Sequence, residues 1–147
     1  MPSSDRRTTD DIRDQSIVIR IIARGLVPFV QLFGLYVIMH GHSSPGGGFQ
    51  GGVILGASFI LLSIADSVEE ARRRFSLRTM TLCNSAGVSL YAGLGLVCLL
   101  LGGNFLDYGV LPITDARSIG MLVIEIGVGL TVMAAMASIF HDLITFE

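Results

Sequence analysis

The sequence contains no lysine, and all ten of its basic residues are arginine. This absence excludes a phosphate-binding loop of the G-x-x-x-x-G-K-[ST] type, although glycines cluster at residues 40–52. No set of Ser, His and Asp residues matches a hydrolase signature either. The sequence therefore predicts a protein without a catalytic site of its own.

Cysteine is also scarce, with only Cys83 and Cys98 in the chain. They lie fifteen residues apart in one predicted helix, a rise of about 22 Å, which is too far for a disulfide within that helix. No C-x-x-C or haem-attachment motif is present. We therefore interpret both as small apolar packing residues and predict no cofactor.

Long apolar runs, in contrast, are abundant. Hydrophobic residues make up 51% of the 147 residues, and the mean hydropathy of +0.68 is above that of a soluble domain. Four runs approach the length of a membrane-spanning helix. The pattern predicts an all-α polytopic membrane protein of one domain, residues 1–147. Its four transmembrane helices are expected at about 17–39, 49–65, 79–101 and 118–140, after a polar cytoplasmic tail at 1–15.

The arginines are distributed unevenly between the two ends of these helices. Five lie in the N-terminal segment through Arg24, four lie in the loop at 66–78, and only Arg117 lies on the opposite side. The positive-inside rule then places both termini and the 66–78 loop in the cytoplasm. The loop at 102–117 and the glycine-rich turn are expected to face outward. Because membrane orientation accounts for nine of the ten arginines, nucleic-acid binding has no support.

The glycine-rich turn between the first two predicted helices reads H-G-H-S-S-P-G-G-G-F-Q-G-G at residues 40–52. Six of its thirteen residues are glycine, which favours a tight reversal with positive φ angles over a flexible linker. Gly48, Gly52 and Gly56 follow at helical spacing and form a ridge that lets another helix come close. His40 and His42 are interpreted as a hydrogen-bonded structural pair, because no further metal ligand stands at suitable spacing.

Glu125 is the only acidic residue well inside a predicted span. It is expected about seven residues, or roughly 10 Å, from the outer end of the fourth helix. An ionised carboxylate there costs about 2.5–3.5 kcal/mol unless it is protonated, paired or hydrated. Two interpretations remain open: a cation or proton site, and a carboxyl group paired with a basic group or amide of a neighbouring subunit. Both imply a partner or water at the site.

One stretch of the turn resembles a known family. The run Gly41-His42-x-x-Pro45-Gly46-Gly47-Gly48-Phe49-x-Gly51-Gly52, preceded by Tyr36, is similar to the MnhB/MrpB family of small membrane subunits in Mrp-type multisubunit cation/proton antiporters. Support extends to the four spans, the basic loop after the second, and the run Ile124-Glu125-Ile126-Gly127-Val128 in the fourth. Family members often have Asp at the position of Glu125, and many have a longer exterior loop before the fourth helix.

The resemblance implies one multi-pass subunit of a large assembly in the cytoplasmic membrane of a prokaryote, which exchanges Na⁺ for H⁺ as a complex. Its partners would be the other membrane subunits and the lipid bilayer. The large antiporter-like subunits carry lysine and glutamate proton paths, which a chain without lysine cannot supply. A related subunit occurs in membrane-bound hydrogenases and similar complex I-like redox assemblies, so a place in such a membrane arm is the alternative.

Two roles within such a complex follow as hypotheses. In the first, Glu125 helps to form a polar path or junction for ions. In the second, the chain is a scaffold whose glycine ridge docks a helix of a partner subunit. The site residues predicted for the first role are Glu125 alone, with no metal ligands. Those predicted for the family motif and its structural role are His40, Gly41, His42, Pro45, Gly46, Gly47, Gly48, Phe49, Gly51, Gly52 and Gly56.

Overall fold

The computed structural model describes residues 4–41, 43, 46–65 and 76–145, with only the backbone described for residues 4–16 and 77. Within these ranges the chain is mainly helical, and residues 101–115 form a loop. A short 3-10 helix, Tyr108–Val110, lies in the loop before the last helix. The helices are α1 (Ser4–Met39), α2 (Gly47–Ala65), α3 (Leu77–Leu100) and α4 (Ala116–Thr145).

Among the described residues, four helical segments are long and apolar enough to cross a membrane. This confirms the predicted all-α chain with four spans. They are Ile17–Met39, Gly47–Ala65, Arg78–Leu100 and Ala116–Thr145.

All four helices begin before their predicted limits, α3 by two residues at Leu77. The segment predicted as a polar tail is helical from Ser4, since residues 4–16 contain no glycine or proline to interrupt a helix propagating from the apolar span. Residues 141–145 likewise contain no glycine or proline, and α4 continues to Thr145. The start of α2 at Gly47 shows that the second half of the glycine-rich motif is helical and does not belong to the turn.

The helices pack in the order α1–α2–α4–α3, so α2 and α4 are the central pair. The outer helices keep large apolar side chains exposed, among them Phe29 of α1 at 72% and Leu100 of α3 at 77%. In a membrane these outer faces are available to lipid or to neighbouring subunits.

Glycine allows backbone to touch backbone where these helices cross. A Cβ atom on Gly51 of α2 would lie 2.7 Å from the carbonyl oxygen of Gly34 of α1. At the α3–α4 crossing, a Cβ atom on Gly127 would lie 3.0 Å from the carbonyl oxygen of Gly87. Real Cβ contacts are longer than these, so close packing of the bundle depends on glycine at both crossings.

The loop before α4 folds back onto the ends of α3 and α4. The ring of Phe105 packs against Gly95 and lies edge-on to Tyr91, with the two ring centroids 5.9 Å apart. The ring of Tyr108 packs against Gly120. Burial, together with the nearby Cys98 and Tyr91, raises the pKa of Tyr108 above its ordinary value. The loop is therefore a packed cover over this end of the bundle.

The two cysteines match the packing role predicted for them. Both are free thiols; Cys98 is completely buried and Cys83 is half-buried.

Candidate functional site

The turn between α1 and α2 is built by local hydrogen bonds. The amide of Gly41 donates to the carbonyl of Ile38 (3.2 Å), and the amide and hydroxyl of Ser43 both donate to the carbonyl of His40 (3.1 Å each). Gly46 and Gly47 have φ angles of +120° and +31°, a region that glycine occupies without steric cost. The predicted tight reversal with positive φ angles is confirmed.

Glu125 reaches this turn from α4. Its Oε2 accepts a hydrogen bond from the backbone amide of Gly48, the second residue of α2. The first amides of a helix have no partner within the helix, and the helix dipole favours negative charge at this end. The carboxylate therefore stabilises the N-terminus of α2 and ties it to α4.

The glycines of the turn make room for this carboxylate. A Cβ atom on Gly41 would lie 2.6 Å from Cδ of Glu125 and 2.7 Å from its Oε2. On Gly47 a Cβ atom would overlap the carboxylate itself, and on Gly48 it would overlap the carbonyl oxygen of Glu125. We call the unit formed by Gly41, Gly47, Gly48 and Glu125 the Glu125 junction. Two features that the sequence analysis treated separately, the glycine motif and the acid, thus form one site.

The position and pairing of Glu125 differ from those predicted. It lies about two and a half turns, or about 14 Å, along α4 from Ala116, yet it is level with the start of α2. A backbone amide of the same chain is a partner of the carboxylate, which the sequence analysis did not anticipate, and pairing with a basic group or amide of a neighbouring subunit stays a prediction. This pairing could not be predicted from the sequence, because Gly48 and Glu125 are 77 positions apart in the chain. The interpretation as a cation or proton site stays a prediction.

The last helix, α4, packs closely against the predicted glycine ridge of α2. A Cβ atom on Gly52 would lie 2.6 Å from the carbonyl oxygen of Gly129, and one on Gly56 would lie 3.1 Å from Cβ of Met136. Close helix approach along this ridge is therefore confirmed. The hypothesis that the ridge docks a helix of a partner subunit is wrong, because α4 of the same chain fills it. Gly129 follows Glu125 by four residues, so one face of α4 supplies both contacts.

The remaining residues of the glycine-rich motif are not part of the Glu125 junction. His40 Nδ1 donates to the carbonyl of Tyr36 at 3.1 Å, and the two rings stack with centroids 4.1 Å apart. This gives His40 the hydrogen-bonded role predicted for it. His42 and Pro45 lie outside the described residues, so the predicted pair remains a prediction. Phe49 is 61% exposed, and its neighbour Gly51 packs on α1 as described above.

No metal site accompanies the junction in the part of the chain that the structure describes. No three His, Cys, Asp or Glu side chains come together there as a possible metal-binding group.

The other end of α2 carries a contact that sequence reasoning missed. Nε of Arg20, on α1, donates to the carbonyl of Ala65, the last residue of α2, at 3.0 Å. The last carbonyls of a helix lack partners within the helix and attract cations. The sequence analysis had no expectation for this pairing, although an arginine one turn inside an apolar span was a signal.

Comparison with known proteins identifies relatives over most of the chain. The family described as a domain related to the MnhB subunit of Na⁺/H⁺ antiporter matches residues 18–138. A protein of Staphylococcus haemolyticus named antiporter subunit mnhB2 is 29% identical over 138 residues, which cover 86% of this chain and 97% of the relative. A Staphylococcus aureus protein of the same name is 41% identical over 59 residues, covering 40% of this chain and 42% of that relative.

A solved structure is similar in fold and sequence. It is a chain of the membrane-bound sulfane sulfur reductase, an archaeal respiratory membrane complex, with a TM-score of 0.61 and 28% identity. The match covers 82% of this chain and 55% of that chain, so this protein spans about half the length of its solved relative. Since the family match at residues 18–138 includes the glycine motif, Glu125 and most of every span, the chain belongs to the MnhB domain family of Na⁺/H⁺ antiporter subunits, as the motif predicted.

Proposed function

We propose that this protein is a multi-pass subunit of a multisubunit Na⁺/H⁺ antiporter in the cytoplasmic membrane of a prokaryote, with both termini in the cytoplasm. Its role is structural: it contributes a rigid helix pair, α2 and α4, to the assembled complex. It has no catalytic site of its own. Family membership supports the antiporter assignment, and the arginine distribution supports the orientation.

The observation that carries the structural role is the hydrogen bond from the Gly48 amide to the Glu125 carboxylate. A carboxylate held by a helix N-terminus is stabilised in its charged form and has a fixed position. Glu125 therefore acts as a hydrogen-bond acceptor in a fixed position, at the edge of the polar path through the complex. Other subunits of the complex supply the groups that carry ions.

The two substitutions Glu125→Gln and Glu125→Ala separate this role from ion carriage. Gln keeps an oxygen that accepts from Gly48 but cannot carry a proton, whereas Ala removes the acceptor. We expect Glu125→Gln to retain most Na⁺/H⁺ exchange in vesicles and Glu125→Ala to reduce the amount of assembled complex on native gels. Losing one such cap costs about 0.5–2 kcal/mol in proteins.

The pattern of results decides between the roles. Loss of exchange in both variants, with the complex intact, would make Glu125 an ion carrier and overturn the fixed-acceptor role. Unchanged exchange and assembly in both variants would remove Glu125 from the function.

A second candidate is the membrane arm of a respiratory complex, in which the subunit couples ion movement to a redox reaction. The similarity to a chain of the archaeal sulfane sulfur reductase favours it. Purifying the intact complex and assaying iron and bound hydrophilic subunits distinguishes the two: a redox arm contains them, and a stand-alone antiporter does not. Nickel in the same sample would indicate a hydrogenase.

A further inference from the structure

Four hydrogen bonds meet at His40, the residue that follows α1. Its backbone amide and its side-chain Nδ1 both donate to the carbonyl of Tyr36, at 3.1 Å each. Its own carbonyl accepts from the amide and the hydroxyl of Ser43, also at 3.1 Å each. His40 is therefore held by the helix on one side and by the turn on the other.

The side chain of His40 caps the end of α1. The carbonyl of Tyr36 is one of the last four in this helix, which ends at Met39, and such carbonyls depend on donors from outside the helix. Nδ1 of His40 is one of those donors, and the two rings stack with centroids 4.1 Å apart. A ring contact and a hydrogen bond together select one rotamer of the imidazole. The side chain thus fixes the direction in which the chain leaves α1.

Gly41, the next residue, lies beside the Glu125 carboxylate. A Cβ atom on Gly41 would lie 2.6 Å from Cδ of Glu125 and 2.6 Å from Cα of Gly47, so Gly41 is close to both the carboxylate and the start of α2. Glycine has no side chain to restrict its own backbone, so its neighbours must hold it in place. The position of Gly41 therefore depends on His40.

We propose that His40 is a positioning residue for the Glu125 junction. Its bond to Tyr36 fixes Gly41, and Gly41 in turn keeps the Glu125 carboxylate against the Gly48 amide. His40 acts through these contacts and carries neither a proton nor an ion. The inference deepens the role proposed above for Glu125 as a fixed acceptor and rests on that proposed function.

The backbone amide of Gly48 gives a direct readout by nuclear magnetic resonance, because an amide proton that donates to a carboxylate resonates downfield of one without that bond. Glycine labelled at its nitrogen and its carbonyl carbon is incorporated into the full-length chain in detergent. An amide–carbonyl correlation spectrum then shows only the glycines that follow another glycine, which are Gly47, Gly48, Gly52 and Gly103. Glu125→Ala removes the acceptor and assigns the Gly48 peak as the one that moves furthest upfield.

His40→Asn and His40→Gln form a matched pair of variants that differ by one methylene group. The side-chain nitrogen of Asn can occupy the position of Nδ1 and donate to the Tyr36 carbonyl, whereas that of Gln lies one bond further out. We expect Asn to keep the Gly48 peak near its wild-type position. Gln should move the peak upfield, toward its position in Glu125→Ala. His141→Gln, the same change toward the other end of α4, should leave the peak in place.

The Gly103 peak is the internal reference for a folded chain, since its amide donates to the carbonyl of Cys98 in a different turn. With that peak unchanged, equal Gly48 positions in the Asn and Gln variants would overturn the positioning role of His40 and leave the role of Glu125 intact. If Glu125→Ala moved none of the four peaks, Gly48 would not donate to Glu125, and both proposals would fall.

Discussion

At the scale of single residues, Glu125 and the glycines of the α1–α2 turn act together. The carboxylate can reach the Gly48 amide only because Gly41 and Gly47 lack side chains. An acid in an apolar helix usually suggests ion binding. In this chain, the carboxylate of Glu125 accepts a hydrogen bond from the N-terminus of α2, so its first role is structural.

The contact between Gly48 and Glu125 predicts that Gly48→Ala destabilises the protein. The added Cβ would overlap the carbonyl oxygen of Glu125, which belongs to the backbone of α4 and cannot move aside easily. Overpacking of this kind costs about 1–3 kcal/mol. The thermal stability of the purified full-length chain in detergent measures the loss.

Gly25→Ala is the matched control, because no atom lies within 4 Å of the position that its Cβ would take. It should leave stability unchanged or raise it slightly, since Ala favours helix over Gly. Equal stability of the two variants would contradict the tight contact at Gly48.

At the scale of elements, α2 is a helix without charged residues whose two ends are held by charges from its neighbours. Glu125 of α4 binds the N-terminus, and Arg20 of α1 binds the C-terminal carbonyl of Ala65. Each charge has the sign that the helix dipole favours at that end. The polar ends of an apolar helix are thus satisfied by contacts between helices.

The Arg20 contact predicts that Arg20→Gln weakens the α1–α2 pair by about 1–2 kcal/mol, since a charged donor to a helix C-terminus is lost. Arg20→Lys should recover part of the loss because it keeps the charge. Resistance of the complex to dissociation in increasing detergent reports the effect. If Gln and wild type dissociate alike, the bond to Ala65 contributes nothing to stability.

The close α2–α4 crossing predicts that Gly52→Leu prevents the two helices from packing and strongly reduces the assembled complex on native gels. The cause is steric, since even a Cβ atom would lie 2.6 Å from the carbonyl oxygen of Gly129. Gly93→Leu is the control: Gly93 lies on the exposed face of α3 with nothing within 4 Å of its Cβ position. Normal assembly of Gly52→Leu would refute the importance of the crossing.

At the scale of the whole molecule, the order α1–α2–α4–α3 puts the most glycine-dependent contacts at the centre and leaves broad apolar faces on the outer helices. The Glu125 junction lies at the end of the bundle predicted to face outward. The Arg20 contact lies at the arginine-rich end. The protein therefore has two chemically distinct ends, joined by the α2–α4 pair.

The arginine distribution predicts the orientation of these ends. A cysteine introduced at Thr114, an exposed position in the loop before α4, should react with a membrane-impermeant maleimide on intact cells. A cysteine at Ser76, exposed before α3, should react only after permeabilisation. The reverse pattern would show that the chain inserts with its termini outside.

Much of the fold could be predicted, and the reason differs between features. A close helix contact could be predicted from the spacing of Gly48, Gly52 and Gly56, because that spacing alone places them on one face of the helix. Their partner could not be predicted, since small-residue ridges fit any helix that carries a matching face. The role of Arg20 was missed because it depends on where α2 ends beside α1.

The sequence by itself determined the number of spans, the family and the presence of a glycine-lined surface. Hydrophobic length, motif and helical spacing are local properties of the chain, and the bilayer thickness sets the length of a span. Only the tertiary structure decided that α4 fills the ridge and that Glu125 binds the Gly48 amide. These contacts join residues far apart in the chain, and their formation depends on how three helices fit together, which no local pattern specifies.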